Sequence, residues 1–121
     1  MKKNILIVED DGSIATSLRL CLKDYGFNVF KNVSTGEEAI ESAAENKPDI
    51  ILMDIKLKGP MSGPQTVIQI RRHSNVPVIF MTGSDQYGLD ERLKDTQPYD
   101  CIIKPFDVDV LVDKINKFIC I

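Results

Sequence analysis

Asp49-Ile50-Ile51-Leu52-Met53-Asp54 passes through four apolar side chains and closes on a carboxylate, and Ile5-Leu6-Ile7-Val8 closes on Glu9-Asp10 in the same way. Neither run alternates with polar residues, as expected of strands buried on both faces of a parallel sheet. Three more short runs share the pattern: Phe27 to Phe30, Val76 to Met81 leading to Thr82, and Cys101-Ile102-Ile103 leading to Lys104. Segments with helical spacing separate them. This alternation predicts a doubly wound α/β fold with a five-stranded parallel sheet, built as (βα)5. Right-handed crossovers leave few arrangements, and strand order 2-1-3-4-5 is the one expected.

Between the first two strands Ile14, Leu18, Cys21, Leu22 and Tyr25 fall at helical intervals, with Gly26 as the C-terminal cap. The second helix starts at Ser34 or Thr35, because Ser34 with Glu37 and Thr35 with Glu38 both have capping-box spacing. It turns Ala39, Ile40, Ala43 and Ala44 inward and stops at Pro48. The third runs from about Pro64 through Val67, Ile68 and Ile70 to Arg72. The last sets Val108, Leu111, Val112, Ile115, Phe118 and Ile119 on one stripe. Asp85 to Gln97 differs, since Leu89 and Leu93 are nearly its only aliphatic side chains. So thinly anchored a helix is expected to be the least stable element and the one that moves; an ordinary solvated helix is the competing reading.

At 121 residues, 43% of them hydrophobic and 27% charged, residues 1–121 read as one domain that buries a core without disulfides. A formal charge of -3 gives no electrostatic reason to expect nucleic acid or an anionic membrane, so partners are proteins or small anions. Cys21, Cys101 and Cys120 are unclustered and read as small buried hydrophobes in a reducing compartment. The N-terminus leads straight into the first strand without a signal-peptide core, and no run is long enough to span a bilayer. A cytoplasmic protein is expected.

In the expected order the first and third strands are neighbours, about 4.8 Å apart, and ligands bind beyond the carboxyl ends of such strands. Glu9 and Asp10 then face Asp54, with Thr82 one strand further along and Lys104 two. Clustered carboxylates repel unless a cation neutralises them. Magnesium suits them, because it takes a few carboxylate oxygens and shares its other positions with water and phosphate. Neither Cys nor His adjoins these strand ends, which argues against zinc. Asp54, alone at the end of the central strand, is the best candidate to attack phosphorus and form an aspartyl phosphate. Lys104 would pair with the phosphoryl oxygens as a point charge and Thr82 would donate a hydrogen bond to one. The added charge of about -1.5 to -2 is enough to reorder adjacent loops.

Taken together, Ile5-Leu6-Ile7-Val8-Glu9-Asp10-Asp11, Asp49-Ile50-Ile51-Leu52-Met53-Asp54, Met81-Thr82-Gly83 and Lys104-Pro105-Phe106 resemble the receiver domain of two-component response regulators. The resemblance covers essentially the whole chain and implies a flavodoxin-like fold. It implies that Asp54 takes a phosphoryl group from the phosphohistidine of a sensor histidine kinase or phosphotransfer protein. Glu9 and Asp10 would hold Mg, directly or through water, with Asp54 and the backbone carbonyl of Lys56. Thr82 would be the switch hydroxyl, Lys104 the phosphoryl-binding lysine, and Lys104-Pro105 a cis bond. The only turnover implied is self-phosphorylation and autodephosphorylation at Asp54. Readout would be contact of a downstream protein, or a second copy, with the face formed by the fourth helix, fifth strand and fifth helix.

Three positions depart from the family pattern. Cys101 stands where an aromatic residue is common, with Tyr99 two residues away; Gly83 replaces a frequent alanine; and Ser62-Gly63-Pro64 replaces the usual Asp-Gly. Asp11 reads equally as an acid in the outer surroundings of the ion and as the N-cap of the first helix. His73, after Arg71-Arg72, reads as a cation near a helix C-terminus rather than a relay histidine. Three rivals remain: a degenerate receiver used only for binding, against which the intact acids and Lys104 argue; a small Mg-dependent hydrolase of the haloacid-dehalogenase type, whose Asp-x-Asp pair is broken here by Glu9; and a flavodoxin. A flavodoxin would need a hydroxyl- and glycine-rich loop after the first strand.

Overall fold

The computed structural model describes residues 2–83 and 91–119. Five strands, β1 (Asn4–Val8), β2 (Asn28–Val33), β3 (Ile50–Asp54), β4 (Val78–Thr82) and β5 (Tyr99–Ile103), form one parallel sheet in the order β2-β1-β3-β4-β5. The expected topology is therefore present. β1 and β3 are buried nearly throughout, which is why their sequences are continuous rather than alternating. Register aligns the strand ends: Val8 lies opposite Met53, Asp54 opposite Met81, and Thr82 opposite Ile103. β2 runs three residues past the expected Phe30, following a register shift between Ile5 and Leu6 of β1.

Four α-helices are present among the described residues: α1 (Gly12–Asp24), α2 (Gly36–Asn46), α3 (Gly63–Ile70) and α4 (Val108–Phe118). α1 and α4 cover one face of the sheet, where Ala15, Leu18, Leu22, Leu111, Val112 and Ile115 meet Ile5, Ile7 and Leu52. α2 and α3 cover the other, with Ala39, Ala43, Val67 and Ile70 against Leu6, Ile51 and Phe80. No helix among the described residues is long and apolar enough to cross a membrane.

The expected helix over Asp85 to Gln97 is corrected where it is described. Leu89 and residues 84–90 lie outside the described residues, and Glu91–Thr96 is a 3-10 helix. Leu93 of that piece is buried in the core. Its end is held by side chains instead of a continuing helix: the Thr96 hydroxyl donates to the Leu93 carbonyl, and the Arg71 guanidinium donates to the carbonyls of Thr96 and Pro98 at 2.9 Å each. Arg71 is thus a structural cross-link between α3 and the approach to β5.

Local chemistry settles several boundaries. Asp11 is the α1 N-cap, accepting from the Ser13 and Ile14 amides at 2.9 and 3.2 Å. Thr35, not Ser34, caps α2 and accepts from the Glu38 amide. α3 begins at Gly63 and ends at Ile70 rather than Arg72, with Ser62 and Gln65 forming a reciprocal capping box. Ile14 and Tyr25, expected inward, are 38% and 44% exposed, because the buried stripe of α1 is centred on Ala15, Leu18 and Leu22. The Tyr25 hydroxyl instead donates to Asp109 of α4. Cys21 and Cys101 are half-buried free thiols, and Cys120 lies outside the described residues. Phe118 and Ile119 pack against the core.

Candidate functional site

Each candidate side chain but Lys56 stands at or just beyond a strand end, so the parallel register alone brings them together. Glu9 follows β1, its backbone N–H bonded to the Val33 carbonyl at 2.9 Å, and its side chain is almost fully buried. Asp10 is half-buried beside it. Asp54 is the last residue of β3 and is 8% exposed; Thr82 ends β4 and is buried. Lys104 follows β5, with its amide bonded to the Thr82 carbonyl at 2.6 Å. Lys56 lies two residues past Asp54 on the exposed loop.

Carboxylate oxygens of Glu9, Asp10 and Asp54 lie within 4.8 Å of one another. The Lys104 ammonium reaches across from β5 to Glu9 Oε1 at 3.0 Å and Asp54 Oδ1 at 3.3 Å. The long lysine stem therefore bridges the expected gap and contacts both acids. Burial raises the pKa of Glu9 above its ordinary 4.5, Asp54 pushes it the same way, and Lys104 opposes both. Burial works against the charge of Lys104, yet Glu9 and Asp54 outweigh it and raise its pKa above 10.5. One ammonium faces three carboxyl groups, which leaves the cluster short of positive charge. An oxygen-only donor set with that deficit fits a small hard dication, and Mg is the fitting one.

Behind the acids, α3 presses on the backbone that carries Asp54. The Gly63 amide donates to the Ile55 carbonyl at 2.8 Å, and a Cβ on Gly63 would overlap the Asp54 carbonyl oxygen. Gly63 is needed for close approach, and Ser62 and Gln65 fix the first turn that delivers it. The Ser62-x-x-Gln65 spacing is a legible capping-box signal that the reading of Ser62-Gly63-Pro64 as a mere replacement passed over. Gly63→Ala is expected to cost about 2–4 kcal/mol, because the backbone bearing Asp54 has to shift. Gly83→Ala, with nothing within 4 Å of the new Cβ, is expected to stay within about 0.5 kcal/mol. Urea unfolding of both variants checks the contrast.

The family model for the response regulator receiver domain matches residues 5–116. The chain belongs to this family. Receiver domains act in two-component signalling, interact with histidine kinases and downstream effectors, and typically are phosphorylated and bind Mg. This receiver domain is 35% identical over 124 residues to the sensory transduction protein BceR of Halalkalibacterium halodurans, covering 95% of this chain and 49% of that one. It is 29% identical over 114 residues to the transcriptional regulatory protein PdtaR of Mycobacterium tuberculosis, covering 94% and 55%. It therefore spans about half the length of these curated relatives. Among solved structures it superposes on the receiver domain of the sensor histidine kinase PA1611 of Pseudomonas aeruginosa with a TM-score of 0.85, 27% identity and 98% coverage of each chain. That structure has a magnesium ion coordinated in its active-site cleft.

The departures at β5 now have a physical setting. Cys101 lies opposite Phe80, and Tyr99, on the same face, packs edge-on against Phe80 with ring centroids 5.8 Å apart. Burial, then the Asp100 charge, pushes the Cys101 thiol up to about 11, so it is a packing group and not a nucleophile at neutral pH. Lys104-Pro105 is cis, as the resemblance implied.

Proposed function

We propose that residues 1–121 work in the cytoplasm as a single phosphorylatable switch, with Asp54 accepting a phosphoryl group from the phosphohistidine of a histidine kinase or phosphotransfer protein. The observation that carries this reading is the convergence of Glu9, Asp10 and Asp54 within 4.8 Å, with the Lys104 ammonium 3.3 Å from Asp54. A carboxylate oxygen of Asp54 attacks phosphorus, and the bond to the imidazole nitrogen breaks, leaving the electron pair on the donor ring. Lys104 exchanges one of its two carboxylate contacts for a phosphoryl oxygen, and Thr82 donates its hydroxyl to another.

Glu9, Asp10, Asp54 and the carbonyl of Lys56 would hold Mg, which when bound supplies positive charge that screens the acids and neutralises phosphoryl oxygens. The burial of Glu9 keeps it fixed for this role, while half-buried Asp10 sits at the mouth. Output runs through protein contact on the face that combines the 3-10 segment, β5 and α4. Ile103 and Val110, 49% and 46% exposed, give that face its apolar contact area.

Intact mass after incubation with Mg and acetyl phosphate tests the reading. The expected result is gain of one phosphoryl group, mapped to Asp54 and lost when the cation is chelated. No gain under conditions that modify another receiver domain overturns it.

A further inference from the structure

Among the described residues β2 is an open edge of the sheet, paired only with β1. The two helices that flank it carry opposite charge. On α1, Arg19 and Lys23 lie one turn apart on the flank facing β2, and with Lys2, Leu20, Phe27, Asn28 and Val29 they line a cleft of ≈ 360 Å³. Like charges four residues apart on a helix repel. Lys2, Arg19 and Lys23 have no carboxylate within ion-pair distance among the described residues. Leu20, at 57%, is the most exposed large apolar side chain described.

On the opposite face, α2 turns Ile40, Ala43, Ala44 and Lys47 toward Ile70 and His73 on the α3 side. Half a helical turn away, on the flank toward the β2 edge, stand Glu38, Glu41 and Glu45. All three are exposed and without a cation partner among the described residues. A chain of net charge -3 thus gathers an unpaired basic ridge and an unpaired acidic ridge on the two sides of one free sheet edge.

We propose that a second copy of this chain docks across the β2 edge, with α1 of each copy against α2 of the other. A two-fold axis parallel to β2 exchanges the two faces of the sheet, so each basic flank meets an acidic one, twice per dimer. An axis perpendicular to the sheet would set like against like. Heights along the helices agree: Arg19 and Lys23 come seven and eleven residues after Gly12 of α1, Glu41 and Glu45 five and nine after Gly36 of α2. Both helices descend from the same end of the sheet, and the offset of two residues is about 3 Å, within reach of an arginine or lysine side chain. Leu20 adds apolar contact at the rim. An acidic segment of a different protein would satisfy α1 but leave the α2 ridge unused. This surface lies at the sheet edge remote from β5 and does not depend on the phosphoacceptor reading.

Sedimentation equilibrium of the full chain in about 50 mM and about 500 mM salt tests the dimer, which is expected at low salt and is screened at high salt. Arg19→Glu with Lys23→Glu, and separately Glu41→Lys with Glu45→Lys, are each expected to weaken dimerisation at least about tenfold. Mixed in equal amounts, the two double variants are expected to pair with each other, because every acidic flank again meets a basic one. All four positions are exposed, and unchanged thermal melts verify folding. A parent that stays monomeric at low salt, a dimer indifferent to either reversal, or double variants that fail to pair overturns the proposal.

Discussion

Asp54→Asn is expected to abolish phosphoryl uptake from acetyl phosphate and at the same time to make the cation-free chain more stable, by about 1 kcal/mol. The two effects have one origin. Asparagine keeps the shape at the end of β3 but has no carboxylate to attack phosphorus. It also removes one charge from a group of three whose oxygens lie within 4.8 Å of one another. At an effective dielectric of about 20, each such carboxylate pair repels by roughly 3–4 kcal/mol, against about 5 for the attraction of Lys104. Asp54 has two such neighbours and one lysine 3.3 Å away, so repulsion exceeds attraction, and water at the mouth screens most of the difference. Urea unfolding in the presence of a chelator measures the stability change. With Mg the order is expected to reverse, since three carboxylates bind a dication more tightly than the two that the variant keeps. Retained mass gain in the variant would move the acceptor role to another acid, Glu9 and Asp10 being the neighbours within 4.8 Å.

Why the convergence of these side chains was legible, and α3's contribution was not, follows from how each is encoded. The acids, Thr82 and Lys104 each terminate an apolar run, and in a parallel sheet all such termini lie at one edge; strand order then decides who faces whom. That argument needs no side-chain detail. Gly63 is different: its requirement comes from the distance between the first turn of α3 and the Asp54 carbonyl, a tertiary quantity with no periodic signal. The same limit explains Ile14 and Tyr25, whose spacing suits the inner stripe of α1 but whose angular position lies at its margin. Asp11 could be read either way because an acid after a strand serves a cation or a helix start equally well; only the amides of Ser13 and Ile14 decide it. The segment before β5 has few aliphatic residues and reads as thinly anchored on that ground; its described part is a 3-10 helix with Leu93 buried in the core.

Lys104→Met is expected to slow phosphoryl uptake by about 10²–10³-fold, the usual cost of removing one preorganised charge partner from a transferring group. Methionine keeps most of the stem and its packing, so the effect isolates the ammonium. Its loss leaves Glu9, 2% exposed, without the cation 3.0 Å away. Breaking a fully buried ion pair costs about 3–5 kcal/mol. Here the lysine side chain is 25% exposed and Glu9 can take up a proton, so about 1–3 kcal/mol is expected at neutral pH. The pH dependence fixes the sign. Glu9 has a folded pKa above its ordinary 4.5, so its proton is held more firmly in the folded chain than in the unfolded one. The stability this confers is fully present below pH 4.5 and is lost as pH rises through the folded value. Removing Lys104, which opposes the upward shift, raises that value further and widens the window over which stability falls. Denaturation of parent and variant between mild acid and neutral pH should therefore show a penalty that shrinks as pH falls. A penalty independent of pH would mean that it comes from the packing of the substituted side chain and not from the loss of a charge beside Glu9.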